Sequence, residues 1–395
     1  MGRHNAFTFP YTFFRERAAA VIPQLMDVGF TGINLALNYH ASRDFLLRQG
    51  PALEYLSDGF HYYKPDLSHY PNAAITPHPS DCLTDNQMLD EVLAAARTES
   101  FEINAWAVFM HNSAIGFRHP EATVTNCFGN RFLSELCPSS PMVAGYIAGL
   151  TSDLCSRGIT SLAIESLHFH GAHHGEHHER FFLEMGEVTA FLLSLCFCAS
   201  CIENFSGDGL RLKNKVAAIL QPFLDDRDPW LDTPLTKENL AEIVGAVILD
   251  YLTSREETIA ARYREVQIIA AESGVKTKFV DQAPLLPGSA NEPLAKSWQV
   301  GINNALIDQV VDIFEPLIYR ATPDEVAQVG ENYRKLVNSD ITAILRPTFP
   351  DNQSERSLVE KVARLKSAGI ADIDFYLLDA MRPRDLTWIK NAITS

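Results

Sequence analysis

Short runs of β-branched and aromatic residues alternate along this chain with longer stretches whose apolar residues recur every three or four positions. The strand-like runs are AFTF (6–9), GINLALN (32–38), EINAWAVFM (102–110), TSLAIES (160–166), TKFVDQ (277–282), VVDIFEPLIY (310–319), ITAILRP (341–347) and DIDFYLLD (372–379). Such runs, bounded by turn residues, read as buried strands. Helical spacing covers 14–28, 85–98, 141–157, 297–307, 323–337, 354–368 and 383–393, with a longer helical region over 178–273. In SLVEKVARLKSAGI the apolar steps of three and four end at a Gly just before the next strand. LMDVGFTGINL and LCSRGITSLAI repeat that passage from helix through Gly to strand, the αβ turn of a repeated βα unit.

Eight such units predict an α/β fold of the (β/α)₈ (TIM) barrel type in one domain over 1–395. No G-x-G-x-x-G or G-x-x-x-x-G-K-[ST] follows a strand, which leaves an open nucleotide-binding sheet without its phosphate loop. Two connections exceed ordinary loop length, 39–84 after the second strand and 167–275 after the fourth. In a barrel both emerge on the face where active sites are built, so they are expected as insertions over a site.

The charge balance narrows the partners. Thirty-three Lys and Arg stand against 49 Asp and Glu, a formal charge of −16. That field repels phosphate backbones and anionic lipid, so neither nucleic acid nor membrane is an expected partner. The start MGRHNAFTFPYTFFRERAAA has no basic-then-apolar secretory pattern, and a cytoplasmic protein is expected. A small-molecule substrate is the expected partner, and a homo-oligomer is compatible with the chain.

Seven cysteines are present, and three fall in SLCFCASCIE: Cys196, Cys198 and Cys201. Thiolates at C-x-C-x-x-C spacing converge on one tetrahedral cation and call for a fourth ligand elsewhere. Cys137, in LCPSSPMV, is the leading candidate, with Cys82, Cys127 and Cys155 as competitors. The pair CPSSP after the third strand and CFCASC after the fourth resembles the zinc motifs of the glycoside hydrolase family forty-two β-galactosidases and related glycosidase-like barrels. There the motifs are Cys-Pro-Asn-Ser-Pro and Cys-Tyr-Cys-x-x-Cys. The resemblance implies a structural zinc held by Cys137, Cys196, Cys198 and Cys201, and glycosidase chemistry. It also implies an acid/base Glu after an Asn at the end of strand four and a nucleophilic Glu at the end of strand seven. Here strand four ends AIES, with Glu165 and no preceding Asn, and strand seven ends AILRPTF, with Arg346.

Glycoside hydrolysis ordinarily needs two carboxyl groups flanking the anomeric carbon. Glu165 is the first candidate, with Asp281 in FVDQAP or Glu315 in DIFEPLIY opposite it. Asn38, Tyr39, His40, His111, Asn112, Gln282, Arg346 and Asp379, at other strand ends, supply the amides, imidazoles, charges and aromatic faces that suit a polyhydroxylated ligand such as an oligosaccharide. LHFHGAHHGEHHERF concentrates six histidines just after Glu165; His168 and His170 are expected to line the substrate site. Two alternatives stand beside the glycosidase: a non-catalytic carbohydrate-binding or scaffold barrel, suggested by Arg346, and a metal-dependent hydrolase or isomerase using the histidine run with Glu176 or Glu179.

Overall fold

Each of the eight strand-like runs becomes one strand of a parallel sheet that closes on itself. In chain order these are β1 (Asn5–Thr8), β2 (Gly32–Tyr39), β3 (Glu102–Val108), β4 (Ser161–Glu165), β5 (Lys276–Asp281), β6 (Ile313–Pro316), β7 (Asp340–Leu345) and β8 (Asp372–Phe375). Closure is made at β1, where Ala6 pairs with Ile33 of β2 on one side and Phe375 of β8 on the other. The computed structural model describes residues 2–48, 52–71, 73–81, 87–171, 180–285 and 293–395. Cys82, Glu176, Glu179 and the histidines at 173, 174, 177 and 178 lie outside the described residues.

The helical layer consists of α1 (Ala18–Val28), α2 (Gln87–Glu99), α3 (Pro141–Cys155), α4 (Val247–Glu272), α5 (Asn304–Ile307), α6 (Pro323–Leu336), α7 (Glu355–Ser367) and α8 (Pro383–Thr394). Two departures from the periodicity have local causes. The helix expected over 297–307 is a 3₁₀ segment, Pro293–Val300, separated from α5 by Gly301 in the left-handed region at φ +79. The helix expected from residue 14 begins instead with the short Tyr11–Arg15 and restarts at α1 after the extended Arg17. Between β4 and α4, among the described residues, run four further helices, Glu187–Ser194, Ala199–Asn204, Gly209–Asp225 and Lys237–Val244. Their apolar faces build a second hydrophobic cluster around Leu192, Leu212, Val216, Leu240 and Tyr251. Among the described residues no helix is long and apolar enough to cross a membrane.

Strand alternation sorts the side chains into barrel interior and outer layer. Phe7, Ala36, Trp106, Ala163, Val280 and Ile344 meet inside the barrel. Their outward neighbours, such as Ile33, Ala105, Ile164, Phe279 and Ala343, join the large cluster under the helices. A polar group also occupies the interior: Lys278 Nζ lies 2.7 Å from Glu315 and 3.4 Å from Asp374, and Asn34 donates to Asp374 at 2.7 Å. An antiparallel hairpin, Ser42–Leu46 with Ala52–Leu56, folds over the strand C-termini and buries Leu46 and Leu56 against the aromatic interior.

Candidate active site and metal centre

Glu165 ends β4, and alternation from Ser161 and Ala163 turns its side chain into the barrel. Its two carboxyl oxygens have different partners. The Trp106 indole donates to Oε2 at 2.5 Å, and the Gln282 amide donates to Oε1 at 3.1 Å. Burial raises the Glu165 carboxyl above the ordinary range, while neighbouring His40 and the two donors pull it back. The next residue, Ser166, is buried at φ +58, a conformation that a residue with a Cβ seldom adopts. Backbone strain of this kind concentrates at functional positions. Around the carboxyl stand Tyr39, 4.7 Å from Trp106 between ring centres, and Tyr319 and Tyr376, 5.9 Å apart. The Arg346 guanidinium lies 4.3 Å above the Tyr319 ring and forms an ion pair with Asp351 at 3.2 Å.

The two acids expected opposite Glu165 are engaged elsewhere. On β5, Lys278 and Val280 face inward, so Asp281 faces out. It accepts from Tyr333 Oη at 2.6 Å and from the Ala283 backbone at 2.9 Å, and burial lifts it to about 6. The following residue, Gln282, is the one that returns to Glu165. Glu315 is fully buried against Lys278; burial lifts it to about 7, with Lys278 opposing and Asp374 adding to the shift. Asp379 accepts from the Thr8 and Thr12 hydroxyls and the Phe9 amide, joining β8 to the turn after β1.

Other expected contact residues divide in the same way. The Asn38 amide bonds both ways with the Val108 backbone, repairing the ladder where β2 slips register against β3. Asn112 caps the helix Ser113–Arg118 and donates to the Gly59 carbonyl. The Tyr39 ring packs tilted against His40 at 4.0 Å, His40 stacks on His111 at 5.1 Å, and His111 lies 5.9 Å from His170. His168 and His170, 4.5 Å apart, line a cavity of about 180 Å³ with Asp281, Gln282, Ser297 and Val300. His170 Nδ1 is 3.6 Å from the buried Glu135. Trp106, Glu135, Tyr319 and Tyr376 went unanticipated; the signal for Trp106 was the alternation that sets it inward between Asn104 and Val108 on β3.

The four cysteines converge. The ribbon of Thr123–Thr125 with Arg131–Leu136 delivers Cys137, and Pro141 at the first position of α3 turns the chain away behind it. Cys196 and Cys198 lie on the turn before the helix Ala199–Asn204, and Cys201 lies inside that helix. Cys137 Sγ is 3.6 Å from Cys198, 3.5 Å from Cys201 and 3.7 Å from Cys196, and all four sulfurs lie within 4.8 Å of one another. These positions are close enough to hold one metal ion. The Thr125 amide donates to Cys196 Sγ at 3.4 Å, support typical of a thiolate ligand. Of the competitors, Cys155 is buried in α3 and Cys127 in the second hydrophobic cluster.

The sequence matches no protein-family model and no curated protein. The fold matches solved glycoside hydrolases. A β-galactosidase from the psychrophilic Marinomonas ef1 superposes with a TM-score of 0.58 at 10% identity, covering 99% of this chain and 59% of its own. A GH42 β-galactosidase from G. stearothermophilus gives 0.57 at 10% identity over 99% and 56%. An α-L-fucosidase from Paenibacillus thiaminolyticus gives 0.53 at 11% identity over 100% and 49%. This chain therefore has the closed eight-stranded barrel of those enzymes and spans only about half to three fifths of their length.

Proposed function

We propose that this chain is a glycosidase-like hydrolase acting on a carbohydrate or glycoside, with Glu165 as the carboxyl group that moves the proton. The observation that carries the reading is the setting of Glu165: buried at a barrel strand end, with a raised pKa and a separate neutral donor on each oxygen. An indole N–H only donates, so Oε2 is fixed as an acceptor. In the neutral acid the proton then belongs on Oε1, beside Gln282, whose amide can turn its carbonyl to receive it. Oε1 is thus the atom that gives a proton to a leaving oxygen or takes one from water. With Asp281 and Glu315 held by Tyr333 and Lys278, their part in this reading is to brace the strand ends around Glu165. Tyr39, His40, His111, His168 and Gln282 supply the contacts to sugar hydroxyls and faces.

The whole of 1–395 acts as one domain in this account, with 39–84 and 167–275 as insertions that wall the mouth; the hairpin packed by Leu46 and Leu56 supports the first of these. The metal is zinc, with a structural role. A tetrahedral site with Zn–S bonds of ~2.3 Å has S–S edges of ~3.8 Å, close to the separations observed, and a set of four thiolates leaves no position open for substrate. The described cysteines are all free thiols, which suits a cytoplasmic setting.

A second reading is a sugar-binding barrel without turnover. Arg346 at the end of β7 and the engagement of both expected partner acids favour it. Incubation with a panel of nitrophenyl glycosides separates the two. Release of nitrophenol by the purified chain supports the hydrolase; saturable sugar binding without release supports the binding protein.

A further inference from the structure

We propose that Arg255 is the buried counter-charge of the four-cysteine metal centre, a positioning residue that strengthens metal binding without touching the ion; the inference rests on the zinc reading above. Tyr251 and Arg255 lie one turn apart on α4 and are both buried. The Tyr251 hydroxyl donates to the Cys196 carbonyl, which sets this face of the helix against the cysteine turn. Arg255 is 4% exposed; its guanidinium carbon lies 4.5 Å from the ring centre of Phe169 and 5.7 Å from that of Phe191. Nη2 donates to the Gln299 carbonyl at 3.3 Å, while Nε and Nη1 have no hydrogen-bond partner among the described residues.

A guanidinium does not give up its proton, so this is a permanent buried cation in need of negative charge. The adjacent acid does not supply it: Glu256 is taken by Lys237 at 3.1 Å and Asn303 at 3.1 Å. Tyr251, whose hydroxyl donates to the Cys196 carbonyl, is a neutral phenol; the negative charge within reach of Arg255 is that of Cys201, Cys196 and Cys137 once they bind a metal as thiolates. Four thiolates around a divalent ion leave a net charge of about −2 in a buried place, which is the complement the arginine lacks. Cation and tetrathiolate then offset each other's burial, and each is costly without the other.

The test uses the full chain loaded with zinc, titrated against a chromophoric chelator, together with thermal midpoints of zinc-loaded and stripped protein. Arg255→Met keeps the length and apolar stem and removes the charge; Arg255→Lys keeps the charge. Loss of an outer support of a metal site weakens affinity by about 10- to 100-fold, and that is the result expected for Met, with Lys staying near the wild type. Stripped Arg255→Met should melt no lower than stripped wild type, because an uncompensated buried charge has been removed. Unchanged zinc affinity in Arg255→Met, equal losses in Met and Lys, or equal destabilisation of loaded and stripped protein would overturn the proposal while leaving the zinc site standing. A wild-type chain that takes up no zinc overturns both.

Discussion

The Trp106 indole and the Glu165 carboxyl, on neighbouring strands whose registers pair Trp106 with Ala163 and Val108 with Glu165, are joined by a 2.5 Å hydrogen bond inside the barrel mouth. The bond favours the charged carboxylate, against the burial that favours the neutral acid. Trp106→Phe keeps an aromatic ring and deletes the donor. Hydrogen bonds to charged groups contribute about 1.5–3 kcal/mol, so loss of this donor should raise the Glu165 pKa further. The check is the carboxylate infrared band of Trp106→Phe followed against pH, with Trp106→Phe/Glu165→Gln as the blank. An unmoved titration would mean that the indole does not set this group.

Glu315 gives a prediction about stability. Its folded pKa of about 7 lies above the ordinary 4.5, so the native state holds the proton more tightly than the unfolded chain. The stabilisation is complete below about 4.5 and is lost as pH rises through about 7, amounting to at most ~3 kcal/mol. Asp281 and Asp379, both lifted by burial to about 6, act in the same direction. Glu315→Gln mimics the protonated form and keeps Lys278 paired with Asp374. Urea unfolding at pH 5 and pH 8 should therefore show wild type losing stability relative to Glu315→Gln by ~1–3 kcal/mol at the higher pH. A difference independent of pH would contradict the assignment.

Removing the metal should destabilise the protein. A ligand that binds only the folded state at a thousand times its dissociation constant contributes ~4 kcal/mol, so stripping zinc should lower the unfolding free energy by at least that order. Cys137→Ser should melt near stripped wild type and be insensitive to chelator, since Cys137 lies within 3.7 Å of each of its three partners. Elemental analysis reading about one zinc per chain in wild type and none in Cys137→Ser completes the test.

The barrel was legible in the sequence because each strand carries its own local signature and the Gly-ended helices mark where strands begin. The four-cysteine cluster was legible because Cys196, Cys198 and Cys201 are close in sequence and Cys137 sits in a motif of its own. The surroundings of Glu165 were less so. Asp281 and Gln282 are adjacent in the chain, and only the phase of β5, fixed by Lys278 and Val280 facing inward, decides that the amide and not the acid reaches Glu165. Asn38 reads as a ligand-contacting amide, but a register slip between β2 and β3 gives it backbone groups to satisfy. Glu315 lies within its strand run where a catalytic acid could sit, yet its partner Lys278 is 37 residues away in sequence and meets it only once the sheet curves shut.

The most direct test is the comparison of Glu165→Gln with wild type on the nitrophenyl glycoside that the wild type cleaves best. The substitution keeps the shape and burial of the side chain and removes its capacity to exchange a proton. With an unchanged melting temperature, turnover should fall by about 10²–10⁴-fold. Glu165→Gln hydrolysing at the wild-type rate, or a correctly folded wild type that binds sugars and cleaves none of them, would contradict the account.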